Sequence, residues 1–343
     1  MAQINKPDEY FNTKLYAGNG TDDHAITGVN FQPDLTWIKT RSSGSHYWFD
    51  NVRGATKFIK SDSTDAEGTA SSTLKSFDTD GFTLGTSGAI NSGTENFASW
   101  NWLASNTTAS NTDGSITSTV SANTTSGFSI VSYSGGGSFG DTVGHGLGSV
   151  PAMIIIKTTN ATSSWYIWQK NMGATDNQFM DFSTGALQTS GATIFDVSAM
   201  SSTTFTLGTN TDVNGSGSPK IAYCFAEKKG FSKFGSYTGN GNADGTFIYT
   251  GFKPAFVIVK RTDAIQSWYI LDNKRNTFNP EDKYFKADAS SAEDTLSFFD
   301  FLSNGFKARG TGIGFNASGG SYIGIAFAEN PLVGSNGVPS CAR

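Results

Sequence analysis

Apolar residues in this chain come in short runs separated by glycine and polar turns, and one run occurs three times. The copies are Pro33-Asp-Leu-Thr-Trp-Ile-Lys39, Pro151-Ala-Met-Ile-Ile-Ile-Lys157 and Pro254-Ala-Phe-Val-Ile-Val-Lys260, with the same proline-to-lysine spacing each time. Each copy is too short for a stable helix and rich in β-branched and aromatic residues. Each also opens on a proline where a ladder donor can be spared, so the pattern predicts a buried strand.

Other blocks keep step with these runs. Tyr16, Tyr133 and Tyr237 precede the three prolines at nearly constant distance, and Phe82, Phe205 and Phe306 precede the aromatic residues Trp102, Phe225 and Phe327 of a closing strand in the same way. Between them lies a second aromatic strand, His46-Tyr-Trp-Phe49, Trp165-Tyr-Ile-Trp168 or Trp268-Tyr-Ile-Leu271. Short strands with turn signals every ~8–12 residues and no helical period predict an all-β protein of three tandem antiparallel β-sandwich domains, jelly-roll or lectin-like. The blocks place an N-terminal arm or leading strand at 1–14, sandwiches at 15–104, 128–230 and 231–331, a linker rich in Ser, Thr and Asn at 105–127, whose stretch Ser115-Ile-Thr-Ser-Thr-Val120 can alternatively form an edge strand, and a C-terminal tail at 332–343. The recurring tyrosines are expected in the cores.

Composition narrows the function without naming it. With 40 Gly, 27 Phe, 11 Tyr and 7 Trp among 343 residues, the chain suits many strands joined by tight turns. A net charge of −5 with scattered basic residues gives no footprint for nucleic acid. No window is long and apolar enough for a membrane-spanning helix, and no leader is apparent, so neither membrane insertion nor export is expected. Cys224 and Cys341 have no metal-ligand spacing and are expected as free thiols.

The search for chemistry yields little. His24, His46 and His145 occupy different places in the repeat, and no nucleophile elbow accompanies them. Glu227 and Glu329 recur at one place in the second and third repeats, but one carboxylate per domain is not a glycosidase pair. Asn240-Gly-Asn-Ala-Asp-Gly245 resembles the opening of a calcium loop, yet Gly251 stands where an EF-hand needs glutamate, so a glycine turn is the expectation. No catalytic residue, metal site or cofactor is assigned.

The most suggestive polar groups follow the aromatic strand: Trp48 with Asp50, Asn51 and Arg53, and Trp268 with Asp272, Asn273 and Arg275. A carboxylate, an amide and a guanidinium beside an indole can bind a sugar by forked hydrogen bonds and ring stacking. The same groups can instead form an Asp-Arg pair that pins a loop or a neighbouring domain. The second repeat departs from both, with Gln169-Lys-Asn171.

Several strings resemble a repeat of virion proteins from tailed, especially marine, bacteriophages. They are Gly127-Phe-Ser-Ile-Val-Ser-Tyr133 with Val143-Gly-His-Gly-Leu-Gly148, Ile221-Ala-Tyr-Cys-Phe-Ala-Glu227 running into Phe234-Gly-Ser-Tyr-Thr-Gly-Asn-Gly241, and Asp300-Phe-Leu-Ser-Asn-Gly-Phe306 with Asn316-Ala-Ser-Gly-Gly320. The resemblance spans about Tyr10 to Pro331 and carries over no site residue. It implies a non-enzymatic structural protein of the virion, a tail fibre or tail-tip adhesin that contacts host surface glycans. On that assignment the expected partners are neighbouring virion proteins and the chain itself, as a homotrimer. A capsid decoration or head fibre protein is the alternative.

Overall fold

The computed structural model describes residues 3–333 and Pro339, and over these the chain is built from antiparallel β-sheets. Each repeat contributes four strands in the same spatial order: leading, closing, proline-led, aromatic. In the first repeat these are Phe11–Ala17, Asn96–Trp102, Leu35–Thr40 and His46–Asp50. In the second they are Phe128–Ser134, Pro219–Phe225, Met153–Thr158 and Trp165–Gln169. In the third they are Ser232–Thr238, Ser321–Pro331, Phe252–Arg261 and Trp268–Asp272. The register repeats as well. Leu35, Met153 and Phe256 pair with Trp102, Phe225 and Phe327, while Lys39, Lys157 and Lys260 pair with His46, Trp165 and Trp268.

Alternation along the proline-led strand explains why its sequence is apolar throughout. Successive side chains point to opposite faces. Phe256 and Ile258 enter the central core, whereas Val257 and Val259 enter a cluster private to the third repeat. Leu35 and Trp37 likewise face the centre while Ile38 faces a cluster private to the first. A second, smaller layer therefore covers each inner sheet. It is made by His24–Thr27, Gly81–Leu84 and Leu74–Asp78 in the first repeat, and by Thr142–Gly144 with Thr204–Thr206 in the second. In the third, Glu281–Lys286, Asp294–Leu302, Gly305–Ala308 and Phe247–Tyr249 continue the inner sheet to eight strands.

The expectation of three separate cores is corrected in one respect: the inner faces of all three sheets share a single apolar core. At its centre a void of ≈ 30 Å³ is lined by the equivalent triplets Leu35, Met153 and Phe256, and Trp102, Phe225 and Phe327. The repeats thus surround an approximate threefold axis. Burial on both faces could be read from the sequence, but the identity of the surface covering the inner face could not.

At two places the strand alternative is the arrangement found. The segment expected as a linker forms the strands Ala109–Asn111 and Ser118–Asn123, which extend the second repeat's sheet beyond its leading strand. Its buried hydroxyls are satisfied locally: Ser118 donates to the Gly144 carbonyl, and Ser121 to Asp34. The arm is not separate either, because residues from Phe11 onward are the leading strand and Ile4 is buried, its N–H donating to the Lys229 carbonyl at 3.1 Å. Gln3 Nε2 donates to the Val333 carbonyl, so the two ends of the described chain meet. Cys224 is a buried free thiol, and Cys341 lies outside the described residues.

The tyrosine register has a cause beyond packing. Tyr16, Tyr133 and Tyr237 donate their hydroxyls to the carbonyls of Ile90, Val213 and Phe315 at 2.7–2.8 Å. The residues that follow those carbonyls, Asn91, Asn214 and Asn316, donate from Nδ2 to Gly85, Gly208 and Gly310. Each repeat thereby ties its leading strand to the turn before its closing strand.

Candidate functional site

The eight residues singled out, two indoles and the six polar residues beside them, are found at or next to places where repeats meet. Asp50 and Arg53 form a buried ion pair, Nε to Oδ2 at 2.5 Å, and the Arg53 backbone N–H also donates to Asp50 Oδ1. The guanidinium reaches on to the Trp48 carbonyl and to Glu67. Across the junction, the hydroxyl of Tyr223 in the second repeat donates to Asp50 Oδ2 at 2.7 Å. The third repeat repeats the pattern. Arg275 pairs with Asp272 at 2.6 Å and reaches the Ile270 carbonyl and Glu293, while Trp100 of the first repeat donates Nε1–H to Asp272 Oδ2 at 3.1 Å. Asn51 donates its amide to Asp34, and the buried Asn273 donates its backbone N–H to the Ala255 carbonyl.

Trp100, Tyr223 and Ile325 occupy one register position, as do Asp50, Gln169 and Asp272. The second repeat therefore lacks the carboxylate, and the third lacks the donor that would have faced it. Gln169 instead bonds to the Gly235 carbonyl and accepts from the Asn171 N–H.

A second ring of contacts closes the assembly. His46, Trp165 and Trp268 each give a ring nitrogen to a carbonyl of the repeat beside it. His46 Nε2 meets Lys286, Trp165 Nε1 donates to Lys60, and Trp268 Nε1 donates to Asp181, at 2.7–3.1 Å. Trp37 Nε1 donates to His46 Nδ1, which makes Nε2 the protonated nitrogen. Burial holds His46 neutral, well below the usual histidine range. Paired backbone bonds recur at the same places: Gly44 with Ser290 and Glu293 with Arg41, Ser163 with Thr64 and Glu67 with Thr159, Gln266 with Thr184 and Leu187 with Thr262.

The lysines that end the proline-led strands lie at these junctions and are fully buried. Lys157 donates to the carbonyls of Thr64 and Ser163, Lys260 to those of Ser183 and Gln266, and Lys39 to those of Thr40 and Ser42. Desolvation pushes each of their pKa values down to about 8.

These contacts are those of an interface. Trp48 and Trp268 are 2% and 0% exposed, and a sugar could not stack on either without opening the core. The pinning alternative is the arrangement found. His145 is buried, with its pKa pushed down to about 4, and its Nδ1 accepts the Leu147 N–H. Glu227 is an ion-pair partner of Lys170 and Lys233, which hold it below the ordinary carboxylate range. In the Asn240–Gly245 loop, Asn240 Oδ1 accepts from Asn242 and Asn316 while Asp244 pairs with Lys307 at 2.6 Å.

A surface that departs from the repeat pattern lies on the outer layer of the third repeat. Phe247 and Tyr249 sit two residues apart on a strand, 43% and 59% exposed, around the buried Ile248. Their equivalents are Ala25 and Thr27 in the first repeat and Thr142 and Gly144 in the second. Phe247 pairs with Lys307, which pairs with Asp300, so the three share one face. Tyr249 pairs with Gly305, where a Cβ would come within 3.0 Å of the Phe247 ring. Arg309 bonds Asp300 at 2.5 Å. Next to it, a cleft of ≈ 410 Å³ is lined by Asn279, Pro280, Ser297, Asp300 and Arg309. The result is an exposed aromatic platform rimmed by paired charges, suited to a ligand with one apolar face and many hydroxyls. Sequence reading missed it, although the signal was present: in Phe247-Ile248-Tyr249 the outward positions are aromatic where both other repeats place small residues.

A family model described as a domain of unknown function, DUF7483, matches residues 6–331, and the chain belongs to that family. No curated protein and no solved structure matches it.

Proposed function

We propose that this member of a family whose description assigns no activity is a non-catalytic bacteriophage virion protein that presents a glycan-contact surface. In this reading it is a tail fibre or tail-tip adhesin built from lectin-like sandwich modules. The platform of Phe247 and Tyr249 contacts host surface sugars, and neighbouring virion proteins and further copies of the chain, as a homotrimer, are its partners. The observation that carries the reading is the exposed aromatic pair of the third repeat, Phe247 and Tyr249, at positions where the first repeat has Ala25 and Thr27 and the second has Thr142 and Gly144. The resemblance to phage virion repeats supplies the setting. Replacing Phe247 and Tyr249 together by alanine should lower adsorption of the assembled particle to host cells, and unchanged adsorption by correctly assembled particles would remove the adhesin reading.

The closed threefold arrangement of the repeats favours a second reading, a decoration or head fibre protein seated at a threefold position of a capsid. Copy number per particle separates the two. An adhesin is present in a few multiples of three or six, whereas a decoration protein follows the capsid's symmetry.

A further inference from the structure

The junction between the first and second repeats contains a cleft of ≈ 470 Å³ whose lining includes Arg53, Lys57, Glu67, Thr159, Asn160 and Lys220. Its counterpart between the third and first repeats identifies what is special about it. There Arg41 reaches across to Glu293, Nη2 to Oε1 at 2.6 Å with Nε near both carboxylate oxygens, and Glu293 also takes Arg275. Arg41 and Thr159 are equivalent positions, two residues beyond Lys39 and Lys157, and their carbonyls accept from the N–H groups of Glu293 and Glu67. Thr159 therefore stands in the first-to-second junction where the third-to-first junction has an arginine. The second-to-third junction also has a threonine there, Thr262, but faces it with Leu187, so only the first-to-second junction keeps the glutamate without the arginine that reaches across to it.

The charges of the cleft are set. Glu67 is occupied by Arg53 at 3.3 Å and Lys57 at 3.2 Å, and Arg53 is held by Asp50. Lys220 gives its protons to neutral oxygens, those of Thr158, Ser218 and Thr211. Arg53, Lys57 and Lys220 thus face Glu67 and, behind Arg53, Asp50, an excess of one positive charge, and Ser132, Thr159 and Asn160 add neutral hydrogen-bonding groups. The volume lies in the range of small-ligand sites.

From this asymmetry we propose that the cleft is a second saccharide site, selective for a sugar bearing a carboxylate. The carboxylate lies by Lys57, whose side chain is 44% exposed, and the sugar hydroxyls lie against Thr159 and Asn160. The choice of ligand class rests on the glycan-contact reading above, but the site is separate from the third repeat's platform.

The test is calorimetric titration of the whole chain with a tetramer of galacturonic acid, with a tetramer of galactose as the neutral control. Thr159→Arg copies the residue of the equivalent junction, so the fold should accept it while the cleft is filled. Binding of the acidic tetramer should fall at least about tenfold in Thr159→Arg and more mildly in Lys57→Gln, with melting temperatures close to the parent's. Equal affinity of the parent for both tetramers, no binding of the acidic one, or undiminished binding by folded Thr159→Arg would overturn the proposal. The Phe247 and Tyr249 double variant, run alongside, keeps the readings distinguishable. If it loses host-cell adsorption while Thr159→Arg has no effect on titration, the cleft fails and the platform stands.

Discussion

The hydroxyl of Tyr223 in the second repeat lies 2.7 Å from the Asp50 carboxylate of the first, within a junction that also holds the Asp50–Arg53 ion pair. Removing the carboxylate leaves a buried guanidinium short of its counter-ion, whereas removing the hydroxyl costs one hydrogen bond. Asp50→Ala should therefore lose about 3–5 kcal/mol and Tyr223→Phe about 1–2 kcal/mol in urea unfolding. Equal, small losses would mean the pair is not the pin of this junction.

The buried lysines give stability a defined pH dependence. Lys39, Lys157, Lys260 and the similarly buried Lys220 have folded pKa values near 8, below the ordinary 10.5, so above pH 8 the unfolded chain holds more protons than the folded one. Stability rises with pH under that condition. Burial moves the opposite way for Cys224, whose thiol is raised from 9, and for Tyr16, Tyr133, Tyr223 and Tyr237, raised from 10. Those groups oppose the gain above about pH 9. Melting temperature should accordingly climb between pH 8 and 9 and level off or fall beyond; a steady decline from pH 7 would count against buried, charged lysines.

Surface variants should behave differently from junction variants. Tyr249→Ala removes a side chain that is 59% exposed, so its effect on stability should stay within about 0.5 kcal/mol while sugar binding weakens. A large drop in stability would recast Tyr249 as a packing residue.

The sequence carried the strands, their order of appearance and the repeat, because apolar alternation and turn residues are local signals. It also offered both roles for Asp50 and Arg53, and the structure selects the pinning role, because a neighbouring repeat supplies Tyr223 from far along the chain. The shared core was hidden for the same reason: Leu35, Met153 and Phe256 meet only when three distant strands assemble. The polar composition around Ser118 and Ser121 leaves linker and edge strand both open, and the strand is found because those hydroxyls are buried and bonded. The lysines served to mark the repeat, and their burial is legible only once the next repeat covers them.

Scanning calorimetry of the full chain bears most directly on whether the three repeats form one closed body. With a common core and junctions on every side, unfolding should be a single transition with calorimetric and van't Hoff enthalpies in a ratio near ~1. Separate transitions, or a ratio near ~3, would show three sandwiches that melt independently and would contradict the shared core.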